Sequence, residues 1–379
     1  MTIAFKYIIF TVMSISDFFR KLFGKSRTAV PEIQESAEPP RPEERYILCI
    51  DGGGMRGIVP VVILQKLESL IREKGGEDDI ASYFDLIAGT STGGLISLAL
   101  TCDSSIGHTE KNGSMQIDLE SLLKNYMSLG KEIFQARSLF GIRQFVSDKY
   151  SSTNIQNMTR RWFGASLMDR AKVPTLIMSY DLSSGSPEMI RSYGDGEVYP
   201  VWVAARATSA APTYFSPCEY GGKLLADGGV VANNPSLYAY AEARRLFPEC
   251  QKFHILSIST GGEFHTMEKE DTRGLMNWAD QVTPMFDTAQ KRTTDYLLHV
   301  LPDVDYLRID DALPEHVNMD ETEPAVLRKM EAQARRSAEN RSEVLEAFAA
   351  SLVENMEYRK NASETGDTGR EDGTAVSGS

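Results

Sequence analysis

Apolar residues in this chain gather into short runs bounded by glycine and proline, and these alternate with segments of helical period. Tyr46 to Ile50 reads as a buried strand, Asp51 to Gly57 as a glycine-rich loop, and Ile58 to Glu73 as a helix with Pro60 in its first turn. Phe84 to Ala88 is a second apolar run. It stops at Gly89-Thr90-Ser91-Thr92-Gly93, and a helical stretch from Gly94 to Leu100 follows. Residues 101–113 are polar and predict an exposed loop. Helices are expected over Leu119–Phe134 and Thr153–Trp162, with Arg137–Lys149 between them as a lid candidate. Strands over Val173–Tyr180 and Met189–Tyr193 come next, then a small-residue helix from Val201 that Pro212 ends. Leu224 opens a strand that ends in Asp227, where Gly228-Gly229 allow a sharp turn. Pro235 then opens the helix Ser236–Leu246. Phe253–Ser259 and Tyr306–Ile309 read as strands, Met285–Leu301 as a helix, and Pro324–Val353 as one or two amphipathic helices. No internal repeat is present.

The two ends are patterned differently. Tyr7 to Met13 is apolar but much shorter than the roughly 20 residues a membrane-spanning helix requires. Lys6 precedes it as in a signal peptide, without a small-residue cleavage site after it. Orderly patterning begins after Met13, which makes Met13 an alternative start. Ile15, Phe18, Phe19, Leu22 and Phe23 then share one helical face, flanked by Arg20, Lys21 and Lys25. Residues 1–25 therefore read as a peripheral anchor lying in an anionic bilayer interface, as a helix docked on the protein itself, or as a frayed tail. Residues 26–45, rich in Pro, Glu and Ser, read as a disordered linker, and 356–379 as a disordered tail.

A net charge of −13 argues against a nucleic-acid partner. Cys49, Cys102, Cys218 and Cys250 show neither CxxC nor metal spacing, which suits reduced thiols in a cytoplasmic protein. No metal requirement and no cofactor are expected.

The chemistry concentrates at the glycines. Strand, G-x-S-x-G, helix is the context of a nucleophile elbow. Ser91 needs a tight, strained turn to present its hydroxyl, and Gly89 and Gly93 remove side chains that would clash there. The helix that follows aims its first amides, Thr92 among them, at a developing oxyanion. Gly52, Gly54 and Gly57 also fit the dinucleotide pattern G-x-G-x-x-G. That reading fails because the loop opens with Asp51 and no acidic residue about 20 positions on closes a following strand. Acyl transfer needs amide donors at the oxyanion, and Gly52, Gly53 and Gly54 can supply them, with Arg56 steadying the loop or the charge. Asp227, at a strand end beside two glycines, is either a turn residue or a poised carboxylate.

In order, Asp51-Gly-Gly-Gly-Met-Arg-Gly57, Gly89-Thr-Ser-Thr-Gly-Gly94 and Asp227-Gly-Gly229 resemble the motifs of the patatin-like phospholipases. Ala207-Thr-Ser-Ala-Ala-Pro-Thr-Tyr-Phe215 and Leu256-Ser-Ile-Ser-Thr-Gly261 are similar to that family as well. The resemblance covers residues 46–262, with 263–355 as a helical completion of one hydrolase domain. It implies a three-layer α/β/α fold with a mostly parallel central sheet, Ser91 as nucleophile, Asp227 as base, and an oxyanion loop of Gly52, Gly53, Gly54 and Arg56. The implied activity is hydrolysis of fatty-acyl esters of phospholipids or related lipids. Separately, a cytoplasmic location is expected, with peripheral placement on the inner membrane face as an option that the N-terminal stripe offers.

Three alternatives stay open on the residues alone. One is a Ser-Asp-His triad using His265, His254 or His299. Another is a lipid-binding module with a vestigial site. The third is an effector gated by a ligand or protein partner that the sequence does not name.

Overall fold

The computed structural model describes residues 43–77, 79–111, 114–134, 149–261, 275–313 and 317–367. The expected N-terminal anchor, most of the linker, the lid candidate apart from Lys149, His265 and the last residues of the tail lie outside this set.

Five parallel strands carry one side of the central sheet, in the order β10 (Val304–Ile309), β9 (Lys252–Ile258), β1 (Glu44–Ile50), β2 (Leu86–Thr90) and β5 (Thr175–Asp181). The sheet continues antiparallel through β6 (Ser186–Arg191), β8 (Lys223–Asp227) and β7 (Cys218–Tyr220). Strands covered on both faces read as unbroken apolar runs, and β1 shows why. Tyr46, Leu48 and Ile50 belong to one core with Leu64, Leu67, Leu327 and Phe348. Ile47 and Cys49 belong to a second, with Ala239, Ala243 and Leu298.

Helices accordingly form a layer on each face, giving an α/β/α sandwich. On the first lie α1 (Ile58–Glu73), α2 (Thr92–Thr101), α3 (Leu119–Ile133), α4 (Ser152–Phe163) and α5 (Val201–Thr208). The C-terminal helices α9 (Pro324–Asn340) and α10 (Ser342–Asp367) pack there too, against α1. The second layer holds the single turn α6 (Gly229–Ala232), α7 (Ser236–Leu246) and α8 (Leu275–Val300).

Several boundaries differ from the sequence reading. The stretch expected as an exposed loop after Thr101 forms an antiparallel hairpin, β3 (His108–Lys111) with β4 (Ser114–Ile117), held down by buried Ile106 and Ile117. Helix α5 stops at Thr208, four residues before Pro212, where Ser209 leaves the helical conformation at φ −100° and ψ 13°. Strand β1 begins at Glu44, inside the expected linker, because Glu44 and Arg45 pair with Lys252 and Phe253 of β9. The expected disordered tail is helical as far as Asp367. There Arg359 bonds Glu44 O at 3.1 Å and Asp85 Oδ2 at 2.8 Å.

One feature of the sheet positions the chemistry. Strand β6 occupies one edge of β5 over Leu176–Asp181. Strands β2 and β8 share the other edge. Parallel β2 ends with Thr90 opposite Met178, and antiparallel β8 ends with Asp227 opposite Ser179. Two strand ends, far apart in sequence, thus meet head to head.

Candidate active site

Ser91 stands at that meeting point as the N-cap of α2, with φ 53° and ψ −121°. This is a left-handed conformation that a residue with a Cβ adopts only under constraint. Its amide donates to Thr208 Oγ1 at 2.8 Å, and the Thr208 hydroxyl donates onward to Met178 O at 2.6 Å. Beneath it, Thr90 Oγ1 donates to Ala232 O at 2.6 Å. Gly93 sits on the first turn of α2, where a Cβ would collide with the carbonyl of Ile50. Gly89 backs onto the Gly93 carbonyl in the same way.

The Ser91 hydroxyl donates to Asp227 Oδ2 at 2.6 Å. The other oxygen, Oδ1, accepts the Gly229 amide at 2.7 Å. Asp227 is 4% exposed. Burial pushes its carboxyl up to about 6, against hydrogen bonds from Ser91 and Gly229 that favour the charged form. The expected sharp turn at Gly228-Gly229 is an ordinary right-handed one, with Gly228 at φ −64°. Glycine is needed there for space, since a Cβ on Gly228 would strike Met178 O.

The glycine loop lies against Ser91, with the Cβ position of Gly52 only 3.1 Å from Ser91 Cβ. The predicted donors are not equivalent. The Gly52 amide is committed to Asn233 O at 3.1 Å, and its carbonyl accepts Thr260 Oγ1 at 2.9 Å. The amides of Gly53, Gly54 and Thr92 have no partner among the described residues. Gly54 adopts φ 60°, facing the Met319 carbonyl. The next amide, Met55, bonds that same carbonyl at 2.7 Å. Arg56 is half-buried and returns Nε to Gly53 O at 3.3 Å, so it braces the loop. Gly57 makes room for Thr92 Oγ1 and the Tyr126 hydroxyl, and Tyr126 donates to Gly54 O at 3.2 Å.

Among the described residues, no histidine stands between Ser91 and Asp227, whose side chains bond each other directly. His254 lies low in the sheet, between Glu44 and Asp305 and stacked on Tyr46. His299 bonds Asp295 O within its own helix. Among the described residues, no cluster of three His, Cys, Asp or Glu side chains could hold a metal ion, and no helix is long and apolar enough to cross a membrane.

Residues 48–240 match the family model for patatin-like phospholipase. The chain belongs to the patatin-like phospholipase family. Patatin-like protein 2 of Oryza sativa subsp. indica is 30% identical to this patatin-like phospholipase, covering 72% of this chain and 76% of that protein. Patatin-like protein 2 of Arabidopsis thaliana is 31% identical, over 70% of this chain and 75% of that one. Calcium-independent phospholipase A2-gamma of Homo sapiens is 27% identical over 81% of this chain and 40% of its own length. The chain is an enzyme of the lipid acyl hydrolase class.

Two residues that sequence reasoning passed over enter the site. Thr208 orients the elbow, and its only signal was its place in the Ala207–Phe215 stretch. Arg308 forms a two-pronged ion pair with buried Asp51, Nη1 to Oδ1 at 2.8 Å and Nη2 to Oδ2 at 2.7 Å. Its signal was a lone arginine among the apolar residues of Tyr306–Ile309.

Proposed function

We propose that this patatin-like phospholipase cleaves fatty-acyl esters of membrane glycerolipids through a Ser91–Asp227 dyad. The observation that carries this is the 2.6 Å hydrogen bond from Ser91 Oγ to Asp227 Oδ2. In the first half-reaction Asp227 takes the Ser91 proton as Oγ attacks the acyl carbonyl carbon. The amides of Gly53, Gly54 and Thr92 receive the oxyanion. Collapse breaks the ester C–O bond, and the proton passes from Asp227 to the departing alcohol. In the second, Asp227 deprotonates a water as it attacks the acyl carbon; collapse breaks the Ser91 Oγ–C bond, the fatty acid leaves, and Asp227 returns the proton to Ser91 Oγ. A carboxylate pushed up to about 6 is a better base than one near 4. The substrate lies in a lipid surface, so a peripheral encounter with the membrane is part of this reading.

The test is fatty-acid release from mixed phospholipid vesicles by wild type, Ser91→Ala and Asp227→Asn. Release by the wild type alone supports the dyad. Near-normal release by Asp227→Asn would overturn it.

A further inference from the structure

We propose that Arg308 is a positioning residue for the oxyanion loop, acting through Asp51. The inference rests on the dyad reading above and extends it to the far edge of the sheet. Cys49, Ser257 and Arg308 are lateral neighbours across β1, β9 and β10. Their side chains therefore share one face, the face of α7 and α8. From there Arg308 reaches two residues further along β1, to Asp51 at the strand's end.

The contacts lock rather than merely neutralise. Asp51 is fully buried and takes both oxygens' bonds from one guanidinium. Arg308 Nη1 also donates to Ser257 Oγ at 2.8 Å, and Nη2 lies 3.4 Å from Asp310 Oδ2. A planar fork fixes the angle of the carboxylate as well as its distance. Asp51 is the residue immediately before Gly52-Gly53-Gly54, so that angle is handed to the loop amides.

A second branch reaches the other half of the site. Asp295, 3.8 Å from Arg308 Nε, accepts the Tyr306 hydroxyl at 2.8 Å. Tyr306 in turn accepts Asn234 Nδ2 at 3.0 Å. Asn234 follows Asn233, whose carbonyl holds the Gly52 amide. The Gly52–Asn233 bond is the seam between the amide loop and the segment that follows Asp227. The network around Arg308 clamps both sides of this seam. A buried ion pair is a weak source of net stability compared with apolar packing, whereas loop amides displaced by a fraction of an ångström lose much of their hold on an oxyanion.

The experiment uses the full chain and a water-soluble short-chain ester, so that lipid binding does not enter. Wild type, Arg308→Lys and the double variant Arg308→Met/Asp51→Asn are compared for kcat and KM. Each kcat is normalised to the folded fraction read by circular dichroism. Lysine keeps the charge but not the fork, and the double variant removes both partners of the Asp51–Arg308 pair together. The expected result is kcat lower by about 10²-fold in both, with KM within about threefold of wild type, since ground-state binding is not the target. Wild-type kcat in the folded double variant would overturn the proposal, as would a loss confined to KM. Ser91→Ala is run beside them. Residual turnover there would strike the dyad reading and leave the role of Arg308 to its own variants.

Discussion

Thr208 holds the backbone of Ser91: its Oγ1 accepts the Ser91 amide at 2.8 Å while its hydroxyl proton goes to Met178 O at 2.6 Å. One side chain thus joins the end of α5, the strained elbow and the central strand β5. Thr208→Val keeps the shape and removes both bonds. Leaving the Ser91 amide and the Met178 carbonyl unsatisfied is expected to cost about 1–3 kcal/mol. It should also lower kcat, because the elbow loses the contact that keeps Ser91 at positive φ. Thermal melting and ester turnover on one preparation check both. Thr208→Ser, which can restore the bonds, should recover most of the activity.

The pH profile should report Asp227. The proposed base acts only when ionised, and its carboxyl sits at about 6. Activity, as kcat/KM on a soluble ester, is therefore expected to fall as pH drops through about 6, well above the ordinary carboxylate range near 4. A profile flat down to pH 5 would contradict the assignment.

Stability should run the opposite way. A carboxyl raised from 3.8 to about 6 by folding binds protons more tightly in the native state than in the unfolded one. Its contribution is fully present below the unfolded value and is lost as pH rises through the folded value. Asp227→Asn removes the penalty on the buried charge. The variant should be more stable than wild type at pH 8 by up to about 3 kcal/mol, with the gap closing towards pH 4. Urea denaturation at the two pH values measures it.

Gly54→Ala tests the amide loop directly. The residue has φ 60°, and its Cβ would meet the Met319 carbonyl. The strain of positive φ alone is about 1–2 kcal/mol, and the collision would shift the donors of the loop. Turnover is expected to fall by about 10²-fold, while Gly75→Ala, also at positive φ but in open space, should leave turnover near wild type.

Every proton in the proposed reaction passes through Asp227. Vesicle hydrolysis is accordingly expected to persist after treatment with a chelator, and total loss that added calcium restores would require a different mechanism.

Much of this molecule was legible in residue order. Unbroken apolar runs marked β1 and β2 because strands buried on both faces have no polar side. The periods of α1, α3 and α7 placed them to within a residue or two. The glycines around Ser91 and beside Asp227 announced a tight elbow and a close approach of backbones. Other features depended on packing alone. Nothing local shows that β8 runs against β5 along the edge β2 has just left, so that Asp227 and Ser91 come within hydrogen-bonding distance across 136 residues. The raised carboxyl of Asp227 follows from burial, a property of the assembled sandwich. Of three equivalent-looking glycines, only the folded loop reveals that the Gly52 amide is spent on Asn233. Arg308 reaches Asp51 from 257 positions away, through a parallel register that exists only once the sheet has formed. Sequence determined which groups this enzyme carries and how the chain turns around them, since those follow from local sterics and period. Tertiary structure decided which groups touch and how strongly each is charged, since distance and solvent exclusion are properties of the whole.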